Sequence, residues 1–220
     1  MITRDLIKDV IPPLKTSDSG LKALTWMEEF KVTHLPIVNR EDFLGLISEA
    51  DILGLNAPEE PIGNHNLSLM RPYITEDQHL YDVIKMANQL KLSVVPVLTA
   101  KQEYLGLITL PDLIEALSIL TAIDNPGGII ILELNSNDYS LVEIANIVEG
   151  NDASILSLYI SPHPQSNKME LTIKVNKTDL TRILATFYRY EYDVKASYHE
   201  SEFSEDMKDR YDSFMNYLNI

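Results

Sequence analysis

The chain has 220 residues, of which 45% are hydrophobic and 23% charged, so it has the balance of a globular protein with one large domain or two small ones. Its formal net charge of −15 argues against nucleic-acid binding and against an anionic membrane surface, since both rely on clustered Lys and Arg. The absence of Cys excludes disulfides, thiol catalysis and thiolate metal sites.

The first half of the chain contains an internal repeat. FLGLISEADIL at 43–53 is matched by YLGLITLPDLI at 104–114, and upstream HLPIV at 34–38 matches VVPVL at 94–98. Each copy predicts a leading segment, an amphipathic helix, two strands joined by a short polar hairpin turn, and a second helix. We therefore expect two α/β repeats.

The two copies are expected to pack on each other, because about 60 residues cannot bury a sizeable core alone. We assign residues 1–58 to repeat one and 59–124 to repeat two. Their first helices, at 21–27 and 80–86, match at an offset of 59, one less than the offset of the strands. The turn DNPGG at 124–128 predicts a domain boundary.

Residues 127–199 read β-α-β-β-α-β, the order of a ferredoxin-like split βαβ unit. The two apolar helix stripes of this unit comprise Leu141, Ile144, Ala145, Val148 and Leu180, Ile183, Leu184, Phe187. The last segment, 200–220, begins acidic and then carries Met207, Tyr211, Phe214 and Leu218 at helical spacing. It predicts a helix that either packs on its own chain or docks on a partner subunit.

A strand-to-helix corner recurs in both copies. Ser48 and Thr109 each follow a Gly-apolar-apolar strand end, and an Asp follows three residues later, Asp51 or Asp112. One interpretation is purely structural, because the hydroxyl of a residue at this position caps the first turn of a helix.

Three features favour a binding site instead. The motif recurs in register with its strand and its upstream Pro. Gly45 and Gly106 lie inside apolar strands, where Gly weakens pairing unless something approaches the backbone closely. A hydroxyl-capped helix N-terminus attracts phosphate, and a carboxylate one turn later can accept both hydroxyls of a ribose.

On the residues HLPIV…LGLISEAD and VVPVL…LGLITLPD, the chain to about residue 122 resembles a tandem cystathionine-β-synthase-type (CBS) pair. The resemblance implies two repeats related by a pseudo-twofold, with clefts that bind adenine nucleotides or related adenosyl compounds. The implied regulatory ligands are AMP, ADP, ATP or S-adenosylmethionine, and no cofactor is required.

The resemblance also implies roles for particular residues. Asp51 and Asp112 would hold ribose hydroxyls, and Ser48 and Thr109 would meet phosphate. The strand residues that would line the adenine pocket with backbone groups are Leu35, Pro36, Val95 and Pro96.

The two clefts differ at the residue two before the strand Pro, which in this family is often basic and contacts phosphate. Repeat one has His34 there and repeat two has Val94. His34 is either a ligand residue or an exposed histidine at a strand start. We hypothesise that the cleft built on Ser48 and Asp51 is the more competent one.

The C-terminal unit resembles an ACT-type domain. ACT domains that bind amino acids usually carry a Gly-containing turn after the first strand, whereas NSNDYS at 135–140 has no Gly. Pairing of edge strands between subunits is therefore the expected role. A CBS pair followed by an ACT-like domain resembles acetoin-utilisation-type regulatory proteins.

We expect neither a catalytic nor a metal site, because the histidines share no ligand spacing and no nucleophile–base motif is found. The sequence thus predicts a cytoplasmic, homodimeric regulatory sensor whose clefts bind an adenosyl ligand and whose state passes to a second subunit or a protein target. The alternative is a structural or interaction protein with non-binding clefts. An enzyme such as a nucleotide hydrolase is the least supported interpretation.

Overall fold

The computed structural model describes residues 1–198 apart from Asp9, Asn66, Ser68, Ser136, Pro164 and Gln165. The helix predicted within 200–220 lies outside the described residues. The chain folds as two compact units, Met1–Ala116 and the chain from Leu117 onward. Within the described part, no helix combines the length and the apolar character needed to cross a membrane.

The first unit has the predicted order of elements in both repeats. Repeat one contains α1 (Gly20–Phe30), β1 (His34–Asn39), β2 (Asp42–Ser48) and α2 (Glu49–Leu53). Repeat two contains β3 (Ile74–Thr75), α3 (Leu80–Leu90), β4 (Val94–Leu98), β5 (Tyr104–Thr109) and α4 (Leu110–Leu120). β1–β2 and β4–β5 are antiparallel hairpins, as predicted, and β3 pairs in parallel with β4.

The two copies match more closely than the sequence alignment indicates. The residues that cap the C-termini of α1 and α3 are Lys31 and Lys91, and both adopt the left-handed conformation with φ of 56° and 54°. The offset of the first helices is therefore 60, the same as that between β1 and β4, and the offset of 59 is wrong. Leu21, aligned with Leu80, is 50% exposed, whereas Leu80 is fully buried. The true counterpart of Leu80 is Gly20, which carries no apolar side chain to reveal the match.

The leading segment of repeat one packs on repeat two. The Thr3 N–H donates a hydrogen bond to the Gln78 carbonyl at 2.9 Å, and the Arg4 N–H donates to the Glu76 carbonyl at 3.0 Å. Thr3 is 0% exposed, and its hydroxyl donates a second hydrogen bond to Gln78 at 2.8 Å. The first residues of the chain thus complete the surface at the start of α3.

The leading segment of repeat two makes the reciprocal contact with repeat one. The Ile62 N–H donates to the Asp18 carbonyl and the Gly63 N–H donates to the Thr16 carbonyl, both at 2.8 Å. The two repeats therefore exchange their leading segments. Their apolar residues form one continuous core that includes residues of both hairpins and of α1 and α3.

Gly45 is required by a close approach of the chain itself. The Leu46 N–H donates a hydrogen bond to the Met70 carbonyl at 2.9 Å, which places the segment between the repeats beside β2. A Cβ on Gly45 would lie 2.7 Å from the Met70 carbonyl oxygen and 2.7 Å from the Leu69 Cβ. The group that approaches this strand Gly is thus the protein backbone.

The second unit contains β6 (Gly128–Asn135), α5 (Leu141–Glu149), β7 (Ile155–Pro162), β8 (Lys168–Val175), α6 (Thr181–Arg189) and β9 (Asp193–Tyr198). Its antiparallel sheet has the strand order β7-β8-β6-β9, so β7 and β9 form the edges. This confirms the predicted β-α-β-β-α-β order. Alternate residues of β6 and β8 pack with both helices in a second core.

The apolar stripe of α5 lies slightly away from its predicted position. Leu141 is 48% exposed, whereas Ile147 is 3% exposed and belongs to the core with Ile144 and Val148. Apolar residues at both 141 and 147 satisfy helical spacing around Ile144, so periodicity alone does not choose between them. Packing against the sheet makes that choice.

We predict that Gly45→Ala lowers the free energy of unfolding by about 1–3 kcal/mol, because the added methyl group overlaps the backbone at Met70. Gly54→Ala is the matched control. Gly54 has an ordinary φ of −82°, and a Cβ there would meet nothing closer than 3.5 Å. Urea unfolding of the three proteins measures the difference, and equal effects of both substitutions would contradict the close-approach explanation.

Candidate functional site

The corner of repeat one is a closed ring of hydrogen bonds. Ser48 donates from its N–H at 2.8 Å and from its hydroxyl at 2.7 Å to the same oxygen of Asp51, Oδ2. The Asp51 N–H donates in return to the Ser48 hydroxyl oxygen at 3.1 Å. The ring forms because β2 leads directly into α2, so that Ser48 is the N-cap residue.

The corner of repeat two repeats this geometry. Thr109 donates from its N–H at 2.8 Å and from its hydroxyl at 2.6 Å to Oδ2 of Asp112, and the Asp112 N–H donates back at 3.3 Å. Both copies therefore have the helix-capping geometry that the spacing of the motif predicts. In each corner the hydrogen-bond ring uses Oδ2 and leaves Oδ1 of the carboxylate outside, where a further donor can bind this oxygen.

The two corners differ in what meets that second oxygen. Lys8 Nζ lies 3.2 Å from Asp112 Oδ1 and also pairs with Glu115. Among the described residues, no Lys or Arg forms an ion pair with Asp51, which is exposed, whereas the Asp112 side chain is only 12% exposed.

Electrostatics at Asp112 follow from this contact. Burial alone would raise the pKa of the Asp112 carboxyl, but the hydrogen bonds from Thr109 and the ion pair with Lys8 together hold the pKa below its ordinary value. The pKa of Lys8 is raised by Glu115 and Asp112. Both groups are therefore charged at neutral pH.

The helices behind the two corners also differ. α2 spans five residues and α4 spans eleven. Since the peptide dipoles of a helix add along its length, α2 supplies less electrostatic attraction for a phosphate than α4 does. The expected attraction by a helix N-terminus is therefore weak in repeat one, and a cationic side chain matters more there.

His34 is held by the other repeat. The His34 N–H and the Thr33 N–H each donate to the Ser93 hydroxyl oxygen at 3.0 Å. The ring nitrogen Nδ1 lies 3.2 Å from that oxygen and accepts a hydrogen bond from the Ser93 N–H at 3.4 Å. Nδ1 is therefore an acceptor, and the ring proton belongs on Nε2.

The protonation of His34 follows from its surroundings. Burial lowers the pKa of His34 below its ordinary value of 6.5, and the negative charge of Asp51 opposes this shift only in part. His34 is thus neutral at pH 7 and does not bring a full positive charge to a phosphate in the ligand-free protein. Its Nε2–H is a hydrogen-bond donor.

The four candidate strand residues belong to the core. Leu35 is 0% exposed, Val95 is 1% exposed, and both prolines are buried. Their side chains fill the interior, so only their backbone groups are available for a ligand. The Pro36 carbonyl already accepts a hydrogen bond from the Leu14 N–H at 2.8 Å.

Sequence reasoning missed Lys8 and Ser93. Ser93 had a detectable signal, because Thr33 and Ser93 are 60 positions apart and place a hydroxyl residue just before the Pro-containing strand in both copies. No comparable signal in the sequence points to Lys8, because Lys8 contacts Asp112 only as a result of the exchange of leading segments.

In the described part of the C-terminal unit, surface cavities of about 430 and 410 Å³ lie beside the sheet and the helices. Five carboxylates line the first, against a single Lys. They belong to Glu133, Asp138, Glu143, Glu191 and Asp193. This charge disfavours an anionic ligand such as a nucleotide in that cavity. No cluster of His, Asp or Glu within the described residues could hold a metal ion.

The fold and the repeated corner define a duplicated α/β module. Residues 4–57 and 68–119 match the family model described as the CBS domain. This part of the chain is therefore a tandem pair of CBS domains, as its motifs implied. CBS domain pairs are nucleotide-sensing regulatory modules.

Several solved structures are similar to the chain over about half its length. A CBS domain pair/ACT domain protein from Thermotoga maritima is 19% identical, with a TM-score of 0.48 over 53% of this chain and 96% of that chain. A putative acetoin utilization protein from Vibrio cholerae is 22% identical, with a TM-score of 0.47 over 56% and 95%. CBSX2 in complex with AMP is 21% identical, with a TM-score of 0.46 over 53% and 95%.

We predict that the stability of the protein falls as the pH drops below about 6.5 in part because of His34. The sign follows from the lowered pKa of His34: below pH 6.5 the unfolded chain binds a proton that the folded protein resists, so stability is lost as pH falls toward the folded-state pKa. Urea unfolding at several pH values should show a shallower loss for His34→Gln.

NMR titration of the His34 ring gives an independent measurement. Its pKa should lie below that of the same residue in the urea-unfolded chain. A pKa at or above the unfolded value, or equal pH slopes for wild type and His34→Gln, would contradict the lowering of the His34 pKa by burial.

Proposed function

We propose that the protein is a regulatory sensor that binds an adenine nucleotide or a related adenosyl compound in its CBS pair. The observation that carries the proposal is the duplicated corner, in which a hydroxyl residue and a carboxylate close a ring and leave one carboxylate oxygen outside it. A pair of ribose hydroxyls can donate to such an oxygen.

The cleft of repeat one is the more competent one in this proposal. Asp51 Oδ1 accepts the ribose hydroxyls, and Ser48 and the Nε2–H of His34 meet a phosphate. The backbone of Leu35 and Pro36 contacts the adenine. The net charge of −15 does not prevent this, because backbone and hydroxyl donors bind an anion locally whatever the overall charge.

Thr109 and Asp112 play the same roles in the cleft of repeat two, where Val95 and Pro96 offer the backbone contact to adenine. Val94 there is an apolar residue that is 1% exposed, so it offers a phosphate no side-chain donor. The candidate ligands are AMP, ADP, ATP and S-adenosylmethionine, and we propose that they regulate the protein and are not consumed in a reaction.

The C-terminal unit is proposed to act as an ACT-like dimerisation domain. Its edge strands expose apolar side chains, with Tyr159 at 51%, Ile160 at 41% and Tyr198 at 58% exposure. Edge strands carry unpaired backbone groups and readily pair with another chain. A ligand can regulate such a homodimer, or its contact with a protein target, only if it binds two states of the protein with different affinity.

A second candidate function is that of a structural or interaction protein. It is favoured by the hydrogen-bond ring itself, because capping fully accounts for Ser48 and Thr109. In that case no nucleotide would change the stability of the protein.

We predict that AMP, ADP or ATP at a hundred times its dissociation constant stabilises the wild type by about 2.7 kcal/mol and raises its melting temperature. Asp51→Ala should abolish most of the shift and Asp112→Ala less of it. Asp82→Ala is the matched control, because Asp82 caps α3 through the N–H of His79 in the same manner without belonging to either corner.

The outcomes separate the two functions. A full ligand shift in Asp82→Ala and a small one in Asp51→Ala would support the sensor. No shift of the wild type with any of the nucleotides would instead favour the structural function. Loss of the shift in Asp112→Ala alone would reverse the proposed order of the two clefts.

Native mass spectrometry of the purified protein tests the assembly. We expect a dimer with a mass of twice 25.0 kDa plus that of any retained adenosyl ligand. A monomer at micromolar concentration would contradict dimerisation through the C-terminal sheet.

A further inference from the structure

Lys8 is the feature that most clearly distinguishes the two corners. Its ammonium group lies 3.2 Å from Asp112 Oδ1, the oxygen that the capping ring leaves outside, while Oδ2 accepts both hydrogen bonds from Thr109. The ring and Lys8 together therefore engage both oxygens of this carboxylate. A ribose hydroxyl that approaches Oδ1 of Asp112 therefore competes with Lys8 for this oxygen.

The position of Lys8 is set by the exchange of leading segments. Thr3 and Arg4 are hydrogen bonded to Gln78 and Glu76 of repeat two, and Leu6 is 7% exposed in the core. These anchors hold the chain against repeat two just before it reaches Lys8. The anchored residues Thr3, Arg4 and Leu6 thus position the ammonium group of Lys8 beside α4.

The pseudo-symmetric position in repeat one carries no charge. Ile62 corresponds to Thr3, because both donate to the residue just before the N-cap of the first helix of the other repeat. Counting five residues onward from each places Leu67 opposite Lys8. Among the residues that the structure describes, Asp51 has no ion-pair partner of this kind, and the uncharged Leu67 accounts for the difference.

We propose that Lys8 competes with the ligand at Asp112 and makes the two clefts bind with unequal affinity. This inference rests on the proposed function. The ion pair is partly exposed, since the Lys8 side chain is 47% exposed. Removal of Lys8 therefore strengthens ligand binding at Asp112, but the ligand also binds there when Lys8 is present. Repeat one binds first, and repeat two fills only at higher ligand concentration.

Backbone NMR of the full chain tests this with one reporter in each cleft, the amide of Ser48 and the amide of Thr109. Adenosine and AMP are titrated into wild type, Lys8→Gln and Lys8→Arg, with Lys85→Gln as the charge-matched control on α3. In Lys8→Gln, the dissociation constant reported by Thr109 should fall about 1.5-fold to fivefold, the range for loss of a partly exposed ion pair. The constant reported by Ser48 should not change.

Lys8→Arg and Lys85→Gln should behave as wild type. Without ligand, the pKa of the Asp112 carboxyl should rise in Lys8→Gln, which checks the ion pair directly. An unchanged pKa, or an unchanged Thr109 constant while Ser48 still reports binding, would overturn the inference and leave the proposed function standing.

A weaker AMP affinity at Thr109 in Lys8→Gln would also overturn the inference, because Lys8 would then be a phosphate ligand. If neither amide responds to adenosine or AMP in any of the proteins, the inference and the proposed function both fail.

Discussion

The reciprocal exchange of leading segments is the constraint on which the first unit depends. A repeat of about 60 residues buries too little apolar surface to be stable alone. The contacts of Thr3 with Gln78 and of Ile62 with Asp18 join the two repeats at both ends. These contacts fix the positions of the hairpins, and hence of the corners where α2 and α4 begin.

The order of strands and helices could be predicted from the sequence because two independent signals agree. Internal repetition sets the register of the first unit, and the change from strand to helix periodicity sets that of the second. The predicted alignment failed only at α1, where Gly20 replaces the apolar residue that marks the same position in α3. The capping geometry of the corner residues could also be predicted, because it follows from local spacing alone.

What could not be predicted depends on contacts between residues distant in the chain. Gly45 was interpreted as a place for a ligand to approach, yet the atoms that lie there are the Leu69 Cβ and the Met70 carbonyl oxygen. The ion pair of Lys8 with Asp112 joins residues more than a hundred positions apart. Burial of His34 against Ser93 likewise needs the packing of one repeat on the other, and it makes that histidine neutral. The inequality of the clefts thus arises from tertiary structure acting on two nearly identical motifs.

The exchange of leading segments also determines when the first repeat can fold during synthesis on the ribosome. Thr3 cannot make its hydrogen bonds until Gln78 has been synthesised, and at 5–20 residues per second this delay is roughly 4–15 s. During that interval the nascent first repeat exposes apolar surface that its counterpart will later cover. A tandem module of this kind therefore favours late, cooperative folding of both copies, and slow translation of the second copy would prolong the exposure of the first.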